Sequence, residues 1–232
     1  MSGRNGNGRP EPAGGGVESL YPFLYSGTSD LDAVLEEVRR STADKAREIV
    51  ELRNLVLERD RDRMVDCAEE MARRFGAGGR LFAFGNGGSS TDAQDMTTLF
   101  LAPPGEARPL PAFSLTSDIA VVTALANDIG FDVVFARQLG AFGRRDDIAV
   151  GMSTSGNSVN LVRAFEEASR RGLLTIGLAG YEGGAMAELE TIDHLFVVPS
   201  ASVHRIQEAQ TTVYHVLWEL TQAALGEVGA TS

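Results

Sequence analysis

The 232-residue chain carries 21 Lys and Arg against 32 Asp and Glu, a net charge of −11, with 43% apolar and 23% charged residues. That composition suits one globular α/β domain with helical extensions and excludes collagen-like and wholly disordered chains. An acidic surface repels nucleic-acid phosphates and anionic lipid alike, so neither nucleic acid nor membrane is an expected partner.

Residues 1–17 are rich in Gly and Pro and nearly free of large apolar side chains, which predicts a mobile tail. This opening lacks the apolar core of a signal peptide, and no apolar run reaches membrane-spanning length, so the expected location is the cytoplasm. An N-terminal helical segment is predicted over residues 18–60, ahead of the main domain at 61–228. From Asp30 to Phe75, Leu31, Val34, Leu35 and Val38 mark one apolar face, and Ile49, Leu52, Leu55 and Val56 mark another. Two faces in succession predict a helical hairpin. Cys67, the single cysteine, falls inside a helical pattern and reads as a small buried hydrophobe.

Beyond Phe75 the period changes. Short apolar runs at residues 80–84, 111–115, 148–152, 173–178 and 194–198 alternate with helical stretches at 89–101, 118–126, 133–142 and 158–171. A short helix near Ala185 and a final one over 203–225 complete the set. This alternation predicts βαβ units and a parallel sheet covered on both faces, with ligands at the carboxyl ends of the strands.

Two loops carry the chemistry. The strand at 148–152 runs into Ser153-Thr154-Ser155-Gly156-Asn157-Ser158 and then into a helix, so hydroxyls and free backbone amides converge on one helix N-terminus. The first-turn N–H groups lack partners, the helix dipole favours negative charge, and Gly156 permits close backbone approach, all of which suit a phosphomonoester. Helix capping by Ser158 would explain one hydroxyl but not four side chains in six residues. The absence of a Lys argues against a nucleotide triphosphate loop. The second loop, Gly85-Asn86-Gly87-Gly88-Ser89-Ser90, also joins a strand to a helix, and its glycines leave space beside the backbone for ligand hydroxyls or phosphate.

Taken in order with Asp92-Ala93-Gln94, Ala126-Asn127-Asp128, Asn160 and Arg205-Ile206-Gln207-Glu208, these loops resemble the phosphoheptose isomerase branch of the sugar isomerase (SIS) domain family. The resemblance spans residues 61–225. It implies an α/β fold, a three-layer α/β/α sandwich with a five-stranded parallel sheet and extra N-terminal helices. It also implies a homotetramer with active sites between subunits, and conversion of sedoheptulose 7-phosphate into an aldose heptose phosphate. By the same resemblance Ser153, Thr154, Ser155 and Ser158 hold phosphate, and Asn86, Gly87, Ser89 and Asp128 line the sugar pocket. Gln207 and His215 would stand near the reacting carbons or a bound zinc.

One departure bears on activity. In the family, the helix after the Gly-rich loop supplies a His and, four residues later, a Glu; here these positions are Asp95 and Leu99. Leu99 can neither accept a proton nor bind metal. Asp95, Glu208 and Glu106 are the carboxylates that could replace the missing base, with Glu208 and Glu106 reading otherwise as solvated charges. His194 and His204 read as ordinary polar residues. Asp95, Gln207 and His215 form a weak candidate set for zinc, which the sequence does not require. Two readings follow: an aldose–ketose isomerase that uses His215, Asp95 and Gln207, or a non-catalytic sugar-phosphate-binding or regulatory protein that has lost its base.

Overall fold

Strands form where short, uniformly apolar runs are bounded by Gly or Pro. In the computed structural model, which describes residues 31–230, five such runs pair into one parallel sheet in the order β2-β1-β3-β4-β5. They are β1 (Leu81–Gly85), β2 (Ala112–Ser114), β3 (Ile148–Ser153), β4 (Leu174–Gly180) and β5 (His194–Val198). Every residue of β1, β3 and β4 is buried, as strands with both faces covered require. The helices are α1 (Leu31–Gly76), α2 (Gly88–Leu101), α3 (Ile119–Asp128), α4 (Val134–Phe142), α5 (Val159–Arg171) and α6 (Val203–Ala230). A 3₁₀ turn at Gly184–Glu188 stands where the short helix near Ala185 is expected.

By packing, the chain divides into two units, Met1–Arg47 and Glu48–Ser232. Of the first, only the start of α1 is described. The expected tail at residues 1–17 and the opening of the predicted helical segment lie outside the described residues.

The hairpin expected over residues 30–75 is instead one continuous helix. No Gly or Pro interrupts it, and the polar stretch between the two apolar patterns is held in helical form by local bonds. Thr42 Oγ1 donates to the Val38 carbonyl at 2.8 Å, Arg39 pairs with Glu36, and Arg47 pairs with Asp44. The second apolar face is a change of phase along one helix.

Alternation along β1 sets up the two cores. Leu81 and Ala83 point to a cluster shared with Met71 and Phe75 of α1, Met96 of α2 and Leu217 of α6. Phe82 and Phe84 point to the other side, with Phe135 and Leu139 of α4 and Phe165 of α5. The result is the three-layer sandwich. Cys67 is fully buried, and burial, with Glu70 and Asp193 adding negative field, pushes its thiol far above the usual range. It is a core residue without thiolate character.

Two groups of ion pairs stand out, one joining the starts of β1 and β3 and one within α5. Asp147, almost fully buried, accepts from the Arg80 backbone at 2.8 Å, from the Arg80 guanidinium at 2.8 Å and from the Arg144 backbone at 2.9 Å. On α5, Glu167 accepts from Arg170 at 2.7 Å and Arg171 at 2.6 Å. Burial alone would raise the Glu167 carboxyl, but the hydrogen bonds from Arg171 and Arg170 outweigh it, and the net shift is downward. A carboxyl whose folded pKa lies below its unfolded value stabilises the fold above that unfolded value and loses the effect as pH falls through the folded one. Glu167→Gln should therefore lower the melting temperature near neutrality and converge on the parent below roughly pH 4. A pH series of melting curves checks this; parallel curves down to pH 3 would refute it.

At the β5 edge, residues two apart along the strand aim their carbonyls the same way. The Leu195 carbonyl accepts from Arg63 at 2.7 Å, and the Val197 carbonyl accepts from Arg59. No helix among the described residues is long and apolar enough to cross a membrane.

Candidate sugar-phosphate site

Strand β1 lies beside β3, yet the helix after β1 covers one face of the sheet and the helix after β3 covers the other. The two following loops therefore part at the sheet's topological switch point, where open α/β sheets bind ligands. These are the two loops singled out by sequence. They are joined directly, because Asn86 and Asn160 exchange two side-chain amide hydrogen bonds, each 2.9 Å.

In the loop after β3, the Ser153 hydroxyl lies 3.5 Å from that of Ser155 and 3.4 Å from that of Ser158. Contacts this long are weak, so the three hydroxyls surround a common point without saturating one another. Ser158 occupies the N-cap of α5, but its side chain makes no capping bond. Thr154 Oγ1 has no hydrogen-bond partner among the described residues. Two loop amides are already held: Gly156 N–H donates to Ser153 Oγ at 3.0 Å and Asn157 N–H to Ser155 Oγ at 3.2 Å. Gly156 sits at φ 67°, and any Cβ there would strike the Gly183 carbonyl, so only glycine closes this turn. The Asn157 side chain braces the loop by accepting from Ala185 N–H at 2.8 Å.

A cleft of about 840 Å³ opens beside this loop, lined by Ser155, Asn157, Tyr181, Glu182, Gly184 and residues 199–201. Its lining contains no Lys or Arg, so in this chain an anion would be held by hydroxyls, amides and the α5 dipole. A separate hollow of about 640 Å³, lined in part by Val121, Arg137, Glu167 and Arg171, shares no residue with the loop.

Ser89, Gln207 and His215, expected beside the sugar, stand on α2 and α6, which pack against each other. Ser89 is buried at the start of α2, and Gly87 precedes it at φ 55°. Gln207 Nε2 donates to the Asp92 carboxylate at 2.8 Å. Burial raises the Asp92 carboxyl; the Gln207 bond works against this and nearby Asp95 adds to it. Tyr214 is also raised, chiefly by burial, against a hydrogen bond to Thr211 that lowers it, with Asp95 and Asp92 adding negative field. The His215 ring stacks on Tyr214 at 5.0 Å between centroids and lies 3.0 Å from the Thr211 carbonyl through Nδ1. A carbonyl only accepts, so Nδ1 carries the proton and Nε2 is left as the basic nitrogen.

Thus Ser153, Ser155 and Ser158 gather in one loop, Asn86 is tied to α5 through Asn160, Gln207 is tied to Asp92 on α2, and His215 stands two turns further along α6 against Tyr214. Asp128 does not join them. It is exposed at the end of α3, where it accepts from Asn127 at 2.7 Å. Leu99 is partly buried against the core, Glu208 pairs with Arg205 at 2.6 Å, and Glu106 is exposed. Sequence alone assigns no role to Tyr181 or Asp92. Asp92 does fall within the motif Asp92-Ala93-Gln94, whereas the one backbone sign of Tyr181, its φ of 51°, is invisible in the residue string.

The SIS domain family matches residues 46–180, more than half of the chain. The chain belongs to the SIS domain family. Its SIS relatives include the phosphoheptose isomerase of Nitratidesulfovibrio vulgaris, 42% identical over 193 residues, covering 83% of this chain and 92% of that protein. The phosphoheptose isomerase of Aquifex aeolicus is 39% identical over 182 residues, covering 78% and 94%. Among solved SIS structures, the phosphoheptose isomerase of Neisseria gonorrhoeae superposes with a TM-score of 0.74 at 33% identity, covering 80% of this chain and 99% of its own. That of Francisella tularensis gives 0.68 at 32%, covering 78% and 98%. These relatives place the chain in the phosphoheptose isomerase branch of the SIS family.

Proposed function

We propose that the chain binds a sugar phosphate with its phosphate seated on residues 153–158, and that it interconverts ketose and aldose forms of a seven-carbon substrate of the sedoheptulose 7-phosphate type. The observation that carries the reading is the group of serine hydroxyls around Ser153 at the start of α5, none of them used to cap the helix. The names of the SIS relatives support the choice of substrate.

An aldose–ketose shift moves a proton between adjacent carbons through a cis-enediol. His215 Nε2 would take and return that proton, Asp95 would serve as the carboxylate partner, and the Gln207 oxygen would accept a substrate hydroxyl. Asn86, Gly87 and Ser89 would border the sugar. Each of these roles falls to one of the chain's own groups. For zinc, Asp95, Gln207 and His215 remain the candidate donors. They fit it poorly: no three His, Cys, Asp or Glu side chains converge among the described residues, and Leu99 offers no donor.

We further propose a homotetramer working in the cytoplasm. Helix α3, Ile119–Asp128, is strongly apolar yet buries none of its residues, and it carries the exposed Asp128. A second copy covering α3 would bury that surface and bring Asp128 to a shared site.

Purified protein incubated with sedoheptulose 7-phosphate, with and without zinc, should yield an aldose heptose phosphate. No product under either condition rejects the isomerase reading. The second reading, a binding or regulatory protein, is favoured by Leu99, whose side chain packs on the core where a base would be needed. It calls for a rise in melting temperature with the same ligand and no turnover.

A further inference from the structure

The Gln207 amide lies across the first turn of α2. A Cβ on Gly88 would come within 2.5 Å of Gln207 Nε2 and 3.0 Å of its Oε1, so any side chain at residue 88 would push the amide from its place. Asp92, one turn further along α2, accepts from Gln207 Nε2 at 2.8 Å. A carboxylate has lone pairs and no proton to offer, so it dictates which end of the amide faces it. Gln207 Oε1 has no other partner among the described residues and is left pointing away from the bond.

We infer that Asp92 and Gly88 act together as positioning residues that hold Gln207 with its amide oxygen presented to a substrate hydroxyl. This rests on the sugar-phosphate reading above and adds to it a device that sets the orientation of one binding group. Asp92 acts through Gln207 and is not the base. Its Oδ2 is the contact; Ala removes it, and Asn keeps the size but offers Gln207 a donor as well as an acceptor, so the amide can settle either way round. Gly88→Ala would displace the same amide by crowding, without touching any charge.

The test compares Asp92→Ala, Asp92→Asn and Gly88→Ala with the parent. Loss of a hydrogen bond held by a charged group corresponds to roughly 10- to 100-fold. Asp92→Ala and Gly88→Ala should each lower kcat for sedoheptulose 7-phosphate by about that factor. Asp92→Asn should lower it by at least about 3-fold, since the amide is no longer held one way round. The melting-temperature shift given by inorganic phosphate should be unchanged in all three, because the hydroxyls that seat it are not touched. Asp92→Asn as active as the parent would overturn the inference, since an acceptor-only group would then not be needed to orient the amide. A silent Gly88→Ala would overturn it equally. If the parent shows no turnover, the isomerase reading falls, and the inference is judged by crystal structures of the unliganded variants. In Asp92→Ala the Gln207 amide should leave its place over Gly88, and an amide that stays refutes the proposal whatever the protein's function.

Discussion

Ser155→Glu is expected to abolish sugar-phosphate binding while the unliganded protein melts within a few degrees of the parent. Ser155 lines the cleft of about 840 Å³, so a longer side chain has room to project without disturbing the core. Its hydroxyl belongs to the group around Ser153, where a phosphate would sit. Two like charges about 4 Å apart repel by roughly 4 kcal/mol at an effective dielectric near 20, which corresponds to about a 1,000-fold loss of affinity. No Lys or Arg lines the cleft to neutralise the added carboxylate. Ser155→Ala, which removes one donor and adds no charge, should lose only about 10-fold. Titration calorimetry with sedoheptulose 7-phosphate and with inorganic phosphate reads both. Retained affinity in the Glu variant would move the phosphate away from residues 153–158.

Phe84→Ala is expected to cost about 3–5 kcal/mol of stability. The ring is fully buried, with centroids 5.3 Å from Phe135 and 5.5 Å from Phe165, and it bridges β1 to both α4 and α5. Gly151 on β3 makes room for it: a Cβ there would come within 2.8 Å of the Phe84 ring and 2.5 Å of the Phe165 ring. The ring fills the space beside two other buried rings in a close-packed core, so its removal leaves a cavity. For a protein of this size the melting temperature should fall by about 10 °C, and the urea midpoint should fall with an unchanged slope. A loss below about 1 kcal/mol would mean that the cluster collapses around the gap. Because Phe84 stands two residues before Asn86, the variant also asks whether the Gly-rich loop needs a firm floor.

The fold is largely legible in the sequence because its signals are local. Uniform apolar runs closed by Gly or Pro mark strands, and the change from helical to short-run periodicity after Phe75 marks the start of the sheet. The loop at 153–158 is legible for the same reason, since its donors are adjacent in the chain. The continuous helix α1 is misread because a shift of apolar phase looks like a turn, while the local pairs of Thr42, Arg39 and Arg47 that carry the helix through it are only seen in three dimensions. Asp92 and Tyr181 escape notice for a different reason. Asp92 gains its meaning from Gln207, 115 residues away, and Tyr181 from a backbone angle and a cleft shared with Ser155. Such partnerships leave no periodic trace.

The guarded edge of β5 limits how copies of this chain can meet. An open parallel sheet offers each outer strand as a template for another molecule's backbone, the usual route to fibrous association. Arg59 and Arg63 occupy acceptors on β5, and at the opposite side β2 is only three residues long, too short to recruit a foreign strand. Growth by strand addition is thereby closed at both ends of the sheet. Any contact between copies would then fall to helical surfaces, where geometry can terminate in a closed ring of subunits and not run on indefinitely.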